Sequence, residues 1–544
     1  MADFTVVGSG ASGVHFALTA LERGRSVEMI DVGWTPDCAA HPEDSFTDLK
    51  ETLEDPAAYF LGRNFEGVFL PGTAGEFYGI PPSKEYAFRP VPQFGTETEN
   101  FAPLSSFAQG GLAEAWTGGC YPFNDGELED FPFSYNEIEP FYTRVAKRIG
   151  INGENDDLAA SVPFHSGLQE PLRLDRHSAL LLSRYRSKKG TFQSKLGCRI
   201  GRARQAVLSL DLGERQACDY LGRCLWGCPR NALYTPAATL KECLRHPDFT
   251  YTHGHYVRYF RFNDSRQIER IVVQTADGRD NREIPVNTLV LAGGTLGSSR
   301  ILLDSVYRET SEVIRLTGLM DNRQILVPFL NLLMIGKPFE AESYQYNQLA
   351  MGFDAEHPKQ YIHCLITALK TAMIHPIVDK LPFDLKTSLY LFRNLHASLG
   401  LVNVNFHDTR RDQNYLTLEP AGNPEHPRLR IHYSAPENER KKLDAALQRV
   451  KKTLFRLGCM VPPGMAHLRP MGASVHYAGT LPMTTDPTEK WTTSPDCRSN
   501  DFKNLFVVDG STYPFLPAKN TTFTLMANAI RVADRLLTQQ DRSK

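Results

Sequence analysis

Residues 4–31 constrain the fold of this chain more than any other stretch. A short apolar run, Phe4 to Val7, leads into Gly8-Ser9-Gly10-Ala11-Ser12-Gly13, then a helical pattern through Leu21 and a second strand, Ser26 to Ile30, ending at Asp31. A lone G-x-G-x-x-G is a weak signal, whereas the full strand–turn–helix–strand unit with a terminal acid is a strong one. Gly8 permits the tight turn, Gly10 lets backbone approach a pyrophosphate, and Gly13 lets the helix pack on the strand. The phosphates then lie at the positive end of the helix that begins around Ala11 and Ser12. Asp31, 23 residues after Gly8, is placed to accept hydrogen bonds from ribose hydroxyls. The unit predicts a dinucleotide site on an α/β core, without distinguishing FAD from NAD.

At 544 residues the chain is long enough for two to four domains of roughly 150 residues each. Hydrophobic residues make up 42% and charged residues 22%, which excludes a disordered chain. Sixty basic and 62 acidic side chains leave a net charge of -2, which argues against nucleic-acid binding driven by counterion release. The greasiest stretch, Ile325 to Gly336, is too short to span a bilayer. With no basic leader region or cleavage site, the expectation is a cytoplasmic protein without an integral membrane segment. Ten scattered cysteines exclude a disulfide scaffold. Cys218, Cys224 and Cys228 cluster in CDYLGRCLWGC, but the spacing lacks a fourth ligand. A structural loop is expected there rather than a metal or iron–sulfur site.

Further strands read at Thr288 to Ala292, before Gly293-Gly294-Thr295-Leu296-Gly297-Ser298, and at Leu505 to Val508, before Asp509-Gly510. A late helix runs from about Phe523 to Leu537. Buried strands spread from residue 4 to residue 508 predict one parallel sheet assembled from distant segments. The material between supplies a second unit with strands at Leu399 to Asn405, Tyr415 to Leu418 and Arg428 to Tyr433, and an amphipathic helix at Glu437 to Leu457. The aromatic- and Leu-rich segment Leu381 to Ala397 reads as a core-facing stripe, with a surface helix meeting a membrane or partner as the alternative. His253 and His255, in Tyr251 to Val257, read as structural strand residues.

The C-terminal quarter is more specific. HYAGTLPM (His476 to Met483), NLFVVDGS (Asn504 to Ser511) and PAKNTTFTLMA (Pro517 to Ala527) follow one another. Together with the N-terminal fingerprint, these blocks resemble the glucose–methanol–choline (GMC) oxidoreductases, flavoenzymes that act on alcohols, in their pyranose-oxidase- and cholesterol-oxidase-like branch. GGLAEAWTGG (Gly110 to Gly119) is similar to the family's flavin-contacting loop, and Phe131 to Ile151 to the segment entering its substrate domain. GCPRNA (Gly227 to Ala232) and Leu291 to Leu303 also sit where the family places them. The resemblance covers about half of the chain by motif and is weak between residues 306 and 400. It implies an FAD-binding Rossmann-type domain assembled from residues 1–130, 198–305 and 459–544. An α+β substrate domain with an antiparallel sheet would comprise residues 131–197 and 306–458. It also assigns Gly110, Gly111, Trp116, Val257, Asp509, Gly510, Thr521 and Thr522 to the cofactor, the Val257 backbone meeting adenine. A His that bonds covalently to flavin in this branch corresponds here to Ala115, implying non-covalent FAD.

The resemblance makes His476 the general base and Asn520 its partner, where glucose-oxidase-like members often carry a second His. An unperturbed imidazole titrates close to neutral pH, which suits removal of a hydroxyl proton. An Asn amide both donates and accepts, so Asn520 can hold the alcohol oxygen without titrating. Backbone N–H groups at the helix start after Asn520 can stabilise negative charge growing on the flavin. The implied function is FAD-dependent oxidation of an alcohol on a polar carbohydrate-like molecule (a sugar, glycoside or aminocyclitol), with hydride transfer to flavin N5. Alternatives are an oxidase of sterol or long-chain alcohols with Leu381 to Ala397 as an apolar lid, lyase chemistry, and a non-catalytic flavin-binding subunit. Oxygen, a quinone and a redox protein all remain open as electron acceptor.

Overall fold

In the computed structural model, residues 1–36, 43–65, 67, 76, 79–370, 374–379, 381–420 and 427–542 are described. Five short strands with largely apolar sequences form its central parallel sheet: β1 (Phe4–Val7), β2 (Val27–Ile30), β3 (Phe249–Thr252), β4 (Thr288–Leu291) and β5 (Leu505–Val507). Their order is β5-β4-β1-β2-β3, with Val6 opposite Val290 on one side and Met29 on the other. A parallel sheet needs cover on both faces, which is why its inner strands read as continuous apolar runs instead of alternating. On one face Phe4 and Val6 pack with Phe16, Met526 and Ile530, from helices α1 (Ala11–Glu22) and α3 (Thr522–Arg542). On the other, Val7, Leu289 and Leu291 pack with Ile301 and Leu302 of α2 (Gly294–Thr310) and with Phe260 and Ile271. Phe260 and Ile271 belong to an antiparallel meander of His255–Phe262, Ile268–Thr275 and Asn281–Pro285. The chain leaves β1 toward β2 and returns to β4 on the opposite side of β1. The carboxyl ends of β1 and β4 therefore flank the switch point where α/β sheets open a ligand crevice.

Tyr251 to Val257 is not one strand. The chain turns at Gly254 (φ +77°), leaving His253 in the connection and His255 at the start of the meander. A left-handed φ at this position is cheap only for glycine.

A seven-stranded antiparallel sheet forms the second unit. Cys198–Arg202, Leu349–Phe353, Ile362–Ala368, Leu399–Asn405 and Gln324–Asn331 run side by side, with Cys459–Met460 and His467–Leu468 pairing on the last. One face is core: Ile325, Val327 and Phe329 pack with Leu182 and Tyr185 of helix Arg176–Ser187 and with Val450 and Leu454 of helix Glu439–Arg456. By strand pairing, Cys198–Arg202 and residues 459–468 go with this sheet rather than with the nucleotide-binding segments expected from the motif blocks. Tyr415–Glu419 and Arg428–His432 lie in a separate small sheet with Arg315–Thr317 and Thr96–Glu99.

Within 381–397, a helix spans Leu385–Leu395, capped by the Asp384 carboxylate on the Thr387 N–H. Ser388 and Phe392 face inward, whereas Leu385 and Tyr390 are 69% and 67% exposed. The core-face expectation therefore holds for one side of this helix only. Among the described residues, no helix is long and apolar enough to cross a membrane.

Candidate active site

The carboxyl ends of β1 and β4 open into a cleft of about 1330 Å³, counting its mouth. Its lining runs from the first glycine turn and Asp31 through Val257 to His476 and Thr522, so it reaches from the nucleotide-binding turn to the C-terminal blocks. The glycines of the first turn differ in what they serve. A Cβ at Gly8 (φ +101°) would lie 2.7 Å from the Ala292 carbonyl, and one at Gly13 would lie 2.0 Å from the Gly8 carbonyl. Both positions are closed by the fold itself. Gly10 has an unstrained backbone (φ -64°), and no atom lies within 4 Å of the Cβ it lacks. The protein leaves that space open at the helix N-terminus, where N–H groups suit an anion. Such a cradle fits a pyrophosphate.

The second glycine loop meets the first. The Gly110 N–H donates to Ser9 Oγ at 3.0 Å, and a Cβ at Gly111 would come 3.4 Å from Gly10 Cα. Ser9 Oγ–H in turn donates to Asp31, which also accepts from the Tyr251 hydroxyl at 3.3 Å. Burial pushes the Asp31 carboxyl up to about 6 against the lowering effect of these donors. Ala11, Ser12, Val257, Gly510, Thr521 and Thr522 line the same cleft, and so does His476.

His476 arrives on a tightly held loop. Val475 has φ +63°, a left-handed conformation that costs a β-branched residue about 1–3 kcal/mol and persists only where surrounding contacts over-determine it. Those contacts are present. The Gly472 N–H donates to Asp321 Oδ2 at 2.6 Å, Ser474 Oγ–H donates to Asp321 Oδ1, and the His476 N–H donates to Ser474 Oγ at 3.0 Å. Beyond the loop, Tyr477 O accepts from Thr295 Oγ1 at 2.6 Å and the Gly479 N–H donates to Gly510 O at 3.1 Å. These bonds seat the segment beside the ends of β4 and β5. The His476 ring is half-buried and faces Asn322, with Nδ1 2.9 Å from Asn322 Oδ1. Desolvation, then the nearby Arg469 guanidinium, lowers its pKa to about 4, so the ring is neutral at pH 7.

Asn520 lies one residue before Thr521, whose carbonyl accepts the Leu525 N–H at 3.0 Å as α3 begins. Its amide packs against Gly119, where a Cβ would come 2.9 Å from Asn520 Oδ1. Asn322 also donates to Pro517 O at 3.0 Å, so one side chain touches both the His476 ring and the turn leading to Asn520. Spacing along the chain does not reveal this convergence.

Other candidates lie elsewhere or are already engaged. Trp116 does not line the cleft. Its Nε1 donates to Tyr234 O at 2.7 Å, and the ring borders a separate cavity of about 730 Å³ with Lys84, Glu114, Cys224 and Cys228. Asp509 is at the cleft wall, where its carboxylate accepts from Ser298 Oγ and Ser511 Oγ, both at 2.5 Å, which tie it into the turn. Cys218, Cys224 and Cys228 pack among Leu172, Leu208 and Tyr344, and burial pushes Cys218 up to about 12. Among the described residues no His/Cys/Asp/Glu group is arranged to hold a metal ion. Sequence reading missed Asp321, Asn322 and Tyr251. Only the register of Tyr251 beside the Asp31 strand end offered a signal.

A GMC oxidoreductase family model, that of the C-terminal domain, matches residues 410–529. The chain thus carries a GMC oxidoreductase C-terminal domain. It is an oxidoreductase, and GMC oxidoreductases are generally flavin-dependent. The chain is 22% identical to a C-glycoside 3-oxidase of Microbacterium trichothecenolyticum, over 98% of this chain and 95% of that one. It is also 22% identical to a paromamine 6'-oxidase of Streptomyces fradiae, over 98% and 90% of the two chains. A crystal structure of pyridoxine 4-oxidase from Mesorbium loti superposes with a TM-score of 0.61 at 16% identity, covering 99% of both chains, and so shares the GMC oxidoreductase fold.

Proposed function

We propose that this oxidoreductase binds FAD non-covalently and oxidises an alcohol on a polar, carbohydrate-like molecule (a sugar, glycoside or aminocyclitol) to the carbonyl. The observation that carries this reading is His476, a neutral imidazole in the wall of the cleft that the dinucleotide motif opens. The C-glycoside 3-oxidase and paromamine 6'-oxidase names of two full-length relatives support a polar alcohol as the substrate. Ala115, at the end of the single turn Gly111–Glu114, offers no nucleophile for a flavin bond.

In this reading Gly8, Gly10, Ala11, Ser12, Gly110 and Gly111 receive the pyrophosphate region, Asp31 the ribose, and the Val257 backbone the adenine. FAD bound there would supply the acceptor for the carbon-bound hydrogen, taken as hydride at N5. His476 takes the hydroxyl proton, while Asn520 hydrogen-bonds the alcohol oxygen and holds it in place. Thr521 and Thr522 bring the N–H groups at the start of α3 to the cleft, where they favour developing negative charge.

The test is anaerobic mixing of the yellow holoenzyme with panels of sugars, glycosides, aminocyclitols, sterols and long-chain alcohols. Bleaching by a polar alcohol is expected. Bleaching by sterols alone transfers the reading to an apolar substrate, and turnover without bleaching indicates lyase chemistry.

Asp31 adds a pH dependence. Ribose hydroxyls donate best to the ionised carboxylate, and burial raises its pKa to about 6. FAD affinity should therefore be full above about pH 7 and fall as pH drops through 6. Asp31→Asn removes that slope. It also weakens binding about 10- to 100-fold, because hydrogen bonds to charged groups contribute about 1.5–3 kcal/mol. Flavin fluorescence titration between pH 5 and 8 measures both effects, and an unchanged slope in the variant contradicts the assignment.

A further inference from the structure

We propose that Asn322 is a positioning residue that fixes the tautomer of His476, leaving Nε2 as the proton acceptor, and ties that ring to the turn bearing Asn520. The proposal rests on the reading of His476 as the base. Asn322 is 1% exposed, and its partners decide which way its amide faces. Its Nδ2 donates to Phe406 O at 2.7 Å and to Pro517 O at 3.0 Å. Two carbonyls can only accept, so both amide hydrogens are committed to them, and the flipped amide would set oxygen against oxygen twice. Oδ1 therefore faces His476 Nδ1 at 2.9 Å and can only accept. It follows that Nδ1 carries the hydrogen. A neutral imidazole has one N–H, so the lone pair resides on Nε2.

The same dipeptide holds the backbone of this loop. Asp321, fully buried, binds the Gly472 N–H and the Ser474 hydroxyl, and Ser474 Oγ receives the His476 N–H. Consecutive side chains thus hold the left-handed Val475 and aim the imidazole that follows it. Asn is the residue that satisfies all three bonds. An Asp at 322 supplies the acceptor but faces two carbonyls without a donor, and an Ala leaves Nδ1–H free to exchange positions around the ring.

Two measurements test this. In the first, long-range proton–nitrogen correlation spectra are recorded on holoenzyme labelled with ¹⁵N-histidine, with His476→Gln identifying the signal. The expected wild-type pattern at pH 7 is that of an Nδ1–H, Nε2-unprotonated ring. An Nε2–H pattern overturns the proposal without any variant having to fold. In the second, Asn322→Ala is expected to slow substrate-driven flavin reduction about 10- to 100-fold and to mix the two ring forms, with FAD still bound. Asn322→Asp is expected to move the pH midpoint of reduction upward by at least about one unit, since a carboxylate beside Nδ1 favours the imidazolium. Wild-type rate and pH profile in both variants, alongside an inactive His476→Ala, refute the role of Asn322 and leave the catalytic reading intact. A fully active His476→Ala refutes the catalytic reading itself, whatever the ring tautomer.

Discussion

Gly10→Val is expected to yield a folded protein that contains no flavin. The backbone at position 10 is extended and unstrained, and the new side chain meets no atom of the chain within 4 Å of its Cβ. Thermal stability of the flavin-free protein should therefore match that of flavin-stripped wild type within about 0.5 kcal/mol, as for a substitution that disturbs no packing. The cost falls on the ligand. Overpacking at a close contact costs about 1–3 kcal/mol, and each displaced charge-assisted hydrogen bond from the turn adds about 1.5–3 kcal/mol. Together they weaken FAD by roughly three decades or more in Kd. Gly13→Ala is the control of opposite character. Its methyl would overlap the Gly8 carbonyl at 2.0 Å, so it should lower the melting temperature with or without flavin. Size-exclusion chromatography, melting curves and the visible absorbance of the purified proteins separate the two outcomes. Acid precipitation of wild type should release all of its FAD to the supernatant, in keeping with Ala115. A yellow, active Gly10→Val protein contradicts the placement of the pyrophosphate.

The contrast between these glycines shows what a linear reading reaches. Local geometry is legible, because a tight turn, a close helix–strand approach and a strand-ending acid each demand particular residue types at fixed offsets. Hence Gly8, Gly13, Asp31 and the core of the parallel sheet are legible in the sequence. Contacts between distant segments leave no such trace. Asn322 lies 154 residues from His476 in a stretch without periodicity or turn chemistry, and nothing distinguishes an Asn that orients a base from one on a surface loop. The strand Cys198–Arg202 is similarly silent, since a five-residue edge strand of an antiparallel sheet can be recruited from any neighbouring segment. Asp509 shows how much of a residue's setting is hidden from the sequence: an acid at a strand end in an α/β sheet invites a ligand role, and here it lines the cleft while also accepting from Ser298 and Ser511. The partner of the Trp116 indole, the Tyr234 carbonyl 118 residues away, is likewise invisible in its motif.

His476→Ala should retain FAD and lose at least about 100-fold in the rate of substrate-driven flavin reduction, within the roughly 10²- to 10⁴-fold range of a positioned general base. Retention is expected because the ring is one of many side chains lining the cleft and the rest are unaltered. The pH profile identifies the base more sharply than the rate does. An exposed imidazole would lose activity as pH falls through about 6.5. Desolvation and Arg469 lower the pKa of His476 to about 4, so the neutral, proton-accepting form should persist to about pH 5. The wild-type reduction rate should then be flat from pH 8 to 5 and decline only near 4, measured by stopped flow at saturating alcohol on enzyme preloaded with FAD. The residual rate in His476→Ala should lack this acid limb, since no other group has been assigned the proton. Should the limb survive unchanged in the variant, some other titrating side chain takes the hydroxyl proton and His476 serves the fold alone.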